Sequence, residues 1–261
     1  MIFKYQAYRN LIDDLGKLDF VIEISELAIR DFVQTLKNSG NPESFLKSKC
    51  DEHTIYVGLN DLTKISNTVS ISNIIQVYQC VSNFFYNFQT EYNDICGTKW
   101  IFTQGETKLS QIKKYFKEKF NKHDFIDEHL IDIFNYYHEV RDKFSHPKIT
   151  DKELKKRFET TIEYKDFLLK EYGMQNSPKK YNEIDFEDFI LFTKISKSLC
   201  LKISSFCTPN PEHIIQYLKL KRFKRLRGER LSIAISIELQ KNFSVKFNPK
   251  DNFIKEILEK L

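Results

Sequence analysis

A chain of 261 residues with 41% hydrophobic content is long enough to bury a substantial core, and 30% charged residues mark it as globular. Glycine and proline are scarce (7 and 6) while Phe and Tyr reach 23 and 13, a balance that argues against a turn-dense β fold and predicts a mainly α class with aromatic-rich helix interfaces. The net charge of +5 is unevenly spread: Cys207 to Leu261 holds twelve Lys and Arg against six Asp and Glu, which leaves the rest of the chain one unit negative.

Further classes drop out on local grounds. The five cysteines form no Cys-x-x-Cys pair and are odd in number, which speaks against a zinc ribbon and against a disulfide framework. No apolar run approaches the roughly 20 residues that span a bilayer, and the first residues lack the basic-then-apolar order of a signal peptide. A soluble, cytoplasmic protein without membrane contact is expected.

Residues 1–17 carry no readable pattern. From Leu18 to Lys37 the apolar positions Phe20, Ile24, Leu27, Ala28, Phe32 and Leu36 predict an amphipathic helix that stops at Asn38-Ser39-Gly40. Ser44 to Thr68 is mixed, with a β-like Thr54-Ile55-Tyr56-Val57 and a short helix after Asn60, so residues 1–68 read as an N-terminal helical extension and connector.

The next helix has the clearest signature: Ile71, Ile74, Tyr78, Val81, Phe85, Phe88 and Tyr92 recur three and four apart. Shorter helices follow over Lys108 to Phe120 and about Asp127 to Ser145. Thr150 with Glu153 forms a capping box that starts a helix running to about Tyr172, and another spans about Asp185 to Phe206. Residues 69–206 thus predict five consecutive helices in an antiparallel bundle.

Residues 207–261 form the basic region. Asn210-Pro211 caps a helix whose continuation carries Lys219, Lys221, Arg222, Lys224, Arg225, Arg227 and Arg230, interleaved with Leu220, Phe223 and Leu226, and such a helix can lie along phosphates. Alternation through Leu231, Ile233, Ile235, Ile237 and Leu239, and again through Phe243, Val245 and Phe247, suggests a β-hairpin; a buried isoleucine-rich helix is the other reading. A short helix ends the chain.

The chemistry concentrates in the middle. Leu130, Phe134, Tyr137 and Phe144 share one helical stripe, and the position that completes the series is Arg141. A guanidinium in such a place needs a buried carboxylate partner or an anionic ligand. His146 follows near the helix end, before Pro147, where an imidazolium is also favoured by the helix dipole.

Arg141-Asp142-Lys143-Phe144-Ser145-His146 resembles the Arg-x4-6-His signature of the HEPN superfamily, over about residues 69–206. The resemblance implies a helical bundle, two copies meeting across a homodimer interface, and metal-independent cleavage of RNA. It assigns the catalytic roles to Arg141, His146 and Asp142, with Ser145 and His138 as auxiliary residues. An imidazole near neutral pH serves as general acid or base, and an arginine stabilises phosphate charge. The 2′-hydroxyl would be the nucleophile, giving 2′,3′-cyclic phosphate products, in the setting of a toxin or anti-phage defence effector with an antitoxin or defence-system partner.

Against this stands a non-catalytic helical RNA- or DNA-binding or adaptor module. Two metal readings are weaker. His123, Asp124, Asp127, Glu128, His129, His138 and Glu139 match no mononuclear template, and Glu163-Tyr164-Lys165 resembles the Glu-x-Lys of metal nucleases but lies in helical surroundings. No cofactor or metal is expected.

Overall fold

The computed structural model describes residues 3–57, 63–121, 125–146, 150–244 and 247–261. Among them there is no strand, and helix, 3-10 turns included, accounts for 77% of the described residues, in line with the mainly α class that the composition predicts. Eleven α-helices are present among the described residues: α1 (Gln6–Asn38), α2 (Pro42–His53), α3 (Thr63–Cys96), α4 (Lys108–Phe120), α5 (Glu128–Ser145), α6 (Asp151–Ile162), α7 (Lys165–Tyr172), α8 (Phe186–Phe206), α9 (Pro211–Tyr217), α10 (Glu229–Phe243) and α11 (Asn252–Lys260). No helix among the described residues is long and apolar enough to cross a membrane.

The chain divides into two compact units, each assembled from separated stretches of sequence. One comprises residues 1–13, 79–130 and 196–261; the other comprises 14–78 and 131–195.

In the first unit an aromatic cluster forms the core. Phe3 and Tyr5 are fully buried; the Phe3 ring lies 4.4 Å from that of Phe243, and Tyr5 meets Phe88 edge to face at 5.0 Å. The Tyr5 amide donates to Ser204 Oγ (3.0 Å) and its hydroxyl to the Cys207 carbonyl (2.5 Å). The N-terminus of α1 leaves amide donors without helical partners, and the Glu91 carboxylate accepts two of them, from Gln6 and Ala7, each at 2.8 Å. Residues that carry no pattern in the sequence therefore anchor this unit. Helix α11 packs against α9 and α10.

In the second unit the inward face of α5 supplies Ile133, Phe134, Tyr136, Tyr137 and Val140, all buried against residues such as Phe158 and Phe192. A polar knot closes it. Asp188 accepts from the Tyr137 hydroxyl (2.7 Å), the Lys179 amide (2.9 Å) and the Asp185 amide (3.1 Å) at the start of α8. Burial pushes the Asp188 carboxyl up to about 6 from its ordinary 3.8, even though those three donors favour the charged form.

Several expectations need correction. The stretch 229–243, where alternation suggests a first strand, is helix α10. Its buried positions Ser232, Ile235, Ser236, Leu239 and Phe243 make one helical stripe, while Ile233 and Ile237 stay exposed; the alternation arose because Leu231, Ile235 and Leu239 satisfy a period of two and a helical spacing alike. The expected second strand includes Val245, which lies outside the described residues. One helix expected over 151–172 is two, α6 and α7, so the described residues of 63–206 hold six α-helices and not five. The mixed stretch after Pro42 is helix α2, ended by Thr54 in a left-handed conformation (φ 56°), and Tyr56 beyond it is 93% exposed and not in a strand. Helix α1 begins at Gln6, well before Leu18, and the stripe expected to be buried is largely in solvent. Asn60 and Pro147 lie outside the described residues.

The expected capping box is present: Thr150 Oγ1 accepts from the Glu153 amide while the Glu153 carboxylate accepts from the Thr150 amide. Asn210 caps α9 with Pro211 at its first position.

Candidate functional site

Helix α5 presents Arg141 at the edge of its buried face. Three residues earlier lies His138 and one residue later Asp142; His138 and Arg141 both lie against Tyr78 of α3. The His138 ring stacks on Tyr78 with centroids 4.9 Å apart and planes at 21°, and the Arg141 guanidinium carbon lies 5.1 Å from the centre of the same ring. Asp142 joins the two: its Oδ1 accepts from Arg141 Nη1, and its Oδ2 is 3.4 Å from His138 Nε2.

The charged members are neither fully buried nor free. Side-chain exposure is 30% for Arg141, 27% for Asp142 and 17% for His138. The anomaly in the stripe is thus resolved by a carboxylate next along the helix and by the face of an aromatic ring, each worth under about 1 kcal/mol at such exposure. One donor is left over. The buried Nε of Arg141 meets no hydrogen-bond acceptor among the described residues. Burial lowers the His138 imidazole below its ordinary 6.5; Asp142 opposes that shift and Arg141 adds to it.

His146 and Ser145 stand apart from this cluster, both exposed at the end of α5. The His146 amide donates to the Asp142 carbonyl at 2.7 Å, which fixes its backbone one turn beyond Asp142. Lys143 is held away by Asp151 and lies over the Tyr181 ring, 4.9 Å from its centre. The imidazole expected beside the guanidinium is His146, but the imidazole in contact with its immediate partners is His138.

The basic residues belong to the other unit, and of them only Arg230, in the first turn of α10, lies on an α-helix. Helix α9 ends at Tyr217, Lys219 adopts a left-handed conformation (φ 52°), a 3-10 turn covers Leu220–Phe223, and α10 opens only after Gly228 (φ 56°). Leu220 is fully buried and pins this loop to the core. Lys219, Lys221, Arg222, Lys224, Arg225, Arg227 and Arg230 are all exposed, with Arg222 paired to Glu238 at 2.8 Å.

Glu163 and Lys165 are exposed and flank the junction of α6 and α7, not a hairpin. Of the metal-ligand residue types, His123 and Asp124 lie outside the described residues, and Asp127 pairs with Lys202 at 3.0 Å. The five cysteines are free.

Tyr78 is the member of the cluster that pattern reading did not single out. It sits in the apolar stripe of α3, and nothing local distinguishes it from its neighbours; only its contacts with α5 do. Chemically, the cluster offers a cation of fixed orientation and a nearby imidazole, with a second, exposed imidazole at the helix end. Comparison with protein-family models, curated proteins and solved structures returns no match.

Proposed function

We propose that this chain is a metal-independent endoribonuclease of HEPN type. The observation that carries the reading is the held Arg141: a partly exposed guanidinium oriented by Asp142 and Tyr78, five residues before an exposed histidine. Arg141 stabilises the phosphate as charge builds on its oxygens. His146 takes the proton of the 2′-hydroxyl as that oxygen attacks phosphorus, or delivers one to the departing 5′-oxygen. The P–O5′ bond breaks, leaving a 2′,3′-cyclic phosphate and a 5′-hydroxyl. Asp142 positions the guanidinium, and His138 and Ser145 flank the site. The enzyme acts as a homodimer in the cytoplasm, as a toxin or anti-phage effector restrained by a partner protein, with the basic stretch 219–230, the loop before α10 and its first turn, holding RNA.

The test is incubation of purified protein with single-stranded RNA and tRNA in excess EDTA, beside Arg141→Ala and His146→Ala. Cleavage by the parent that both variants lose is the expected result; cleavage that persists in both, or that chelator abolishes, overturns the reading.

The exposed basic loop also favours a second reading, a helical nucleic-acid-binding module without turnover. It predicts RNA binding by the parent and both variants alike, with no cleavage in any.

A further inference from the structure

Helix α1 carries an apolar stripe that the fold leaves uncovered. It buries Ile22 and Leu36, yet Phe20, Val21, Ile24 and Leu27 are 65%, 59%, 52% and 67% exposed. Ala28 is exposed beside them, and Phe32, 37% exposed, extends the stripe by a turn. At 100° per residue all of these fall on one side of the helix about Ile24. Together they present on the order of 500 Å² of contiguous apolar surface, the size at which the largest patch of a monomer is often an interaction site.

We propose that this face pairs with the same face of a second copy of the chain, antiparallel, about a two-fold axis through Ile24. The argument is the complementarity of the stripe with its own reverse. Rotation about Ile24 sets Phe20 against Ala28 and Val21 against Leu27, large against small in the outer pair. It sets Phe32 against Gly16, where an added Cβ would meet nothing within 4 Å, so a ring has room there. It also sets Lys17 against Asp31, both exposed and neither in an ion pair among the described residues. Each sequence position meets its opposite twice, as an isologous interface requires. Two copies of the stripe bury on the order of 1,000 Å², the lower bound for a specific association. The pairing stands on this helix face alone and does not depend on the ribonuclease reading.

Sedimentation velocity of the full chain at micromolar concentration tests it. The parent sediments as a dimer. Ile24→Asp brings two carboxylates together at the axis and yields monomer, with helicity by circular dichroism unchanged because Ile24 is half in solvent. Lys17→Asp and Asp31→Lys each weaken the dimer about tenfold, and the double exchange restores it. A parent that stays monomeric, including one that binds lipid vesicles through this face, overturns the proposal. So does a dimer that survives Ile24→Asp, or a double exchange that rescues nothing.

Discussion

Arg141 and His138 both lie against the Tyr78 ring, the guanidinium carbon 5.1 Å and the imidazole centre 4.9 Å from its ring centre, and Asp142 touches both. Whatever reaches the guanidinium meets a cation that cannot rotate freely, because an ion lying against a ring and tied at one end by a carboxylate is held at two points.

Arg141→Lys separates charge from geometry. Lysine keeps the charge but has no planar fork, so RNA cleavage is expected to fall at least about tenfold while denaturant-measured stability changes by under about 1 kcal/mol. Cleavage at the parent rate would mean that the oriented guanidinium has no part in the reaction.

The His138 imidazole should titrate below 6.5 when followed by NMR, burial being the main cause. Asp142→Asn should lower it further and Arg141→Ala should raise it, since the first removes an anion and the second a cation. The sign for stability follows. A histidine whose folded pKa is depressed binds its proton less well when folded, so stability is lost as pH falls through 6.5. His138→Phe, which keeps a ring on Tyr78, should flatten that loss.

Asp188 works in the opposite sense. Its folded pKa is raised to about 6, so the folded state holds the proton more tightly than the unfolded chain between 3.8 and about 6, and stability falls as pH rises through that window. Asp188→Asn removes the slope in thermal-denaturation midpoints. It also turns an amide donor toward one of the two backbone amides that Asp188 now accepts, from Lys179 at one oxygen or Asp185 at the other, at a cost of about 1–3 kcal/mol, so the variant should be less stable at every pH in the range.

Neutralising Arg225 and Arg227 should weaken RNA binding and make the dependence of log affinity on log salt shallower by about one to one and a half. Arg222 should matter less because Glu238 already occupies it. Helicity should not change, since these residues lie between α9 and α10 and not within either. An unaltered salt slope would remove the loop from the RNA-binding surface.

Much of the helical plan is legible in the chain because helices are local. The Thr150 capping box, the Asn210-Pro211 start and the stripe of α3 rest on residues three or four apart, and propensity and capping act over that distance. The anomaly at Arg141 is legible for the same reason. Its resolution is not: Tyr78 reads as one more apolar position until α5 lies beside α3. Alternation misled at 231–239, where one spacing serves two periods, and only the exposure of Ile233 and Ile237 beside the burial of Ser232 and Ser236 decides between them. Phe3 and Tyr5 look featureless, yet Tyr5 bonds Ser204, 199 positions away. In α1 the helix was predictable but its buried face was not, because burial is set by what the rest of the chain brings near. The sequence by itself determined that the chain is helical and that Thr150 and Asn210 open helices, because caps act locally; the tertiary structure decided which faces the helices hide, and hence that Arg141 is held in place and the Phe20 to Leu27 stripe is left open.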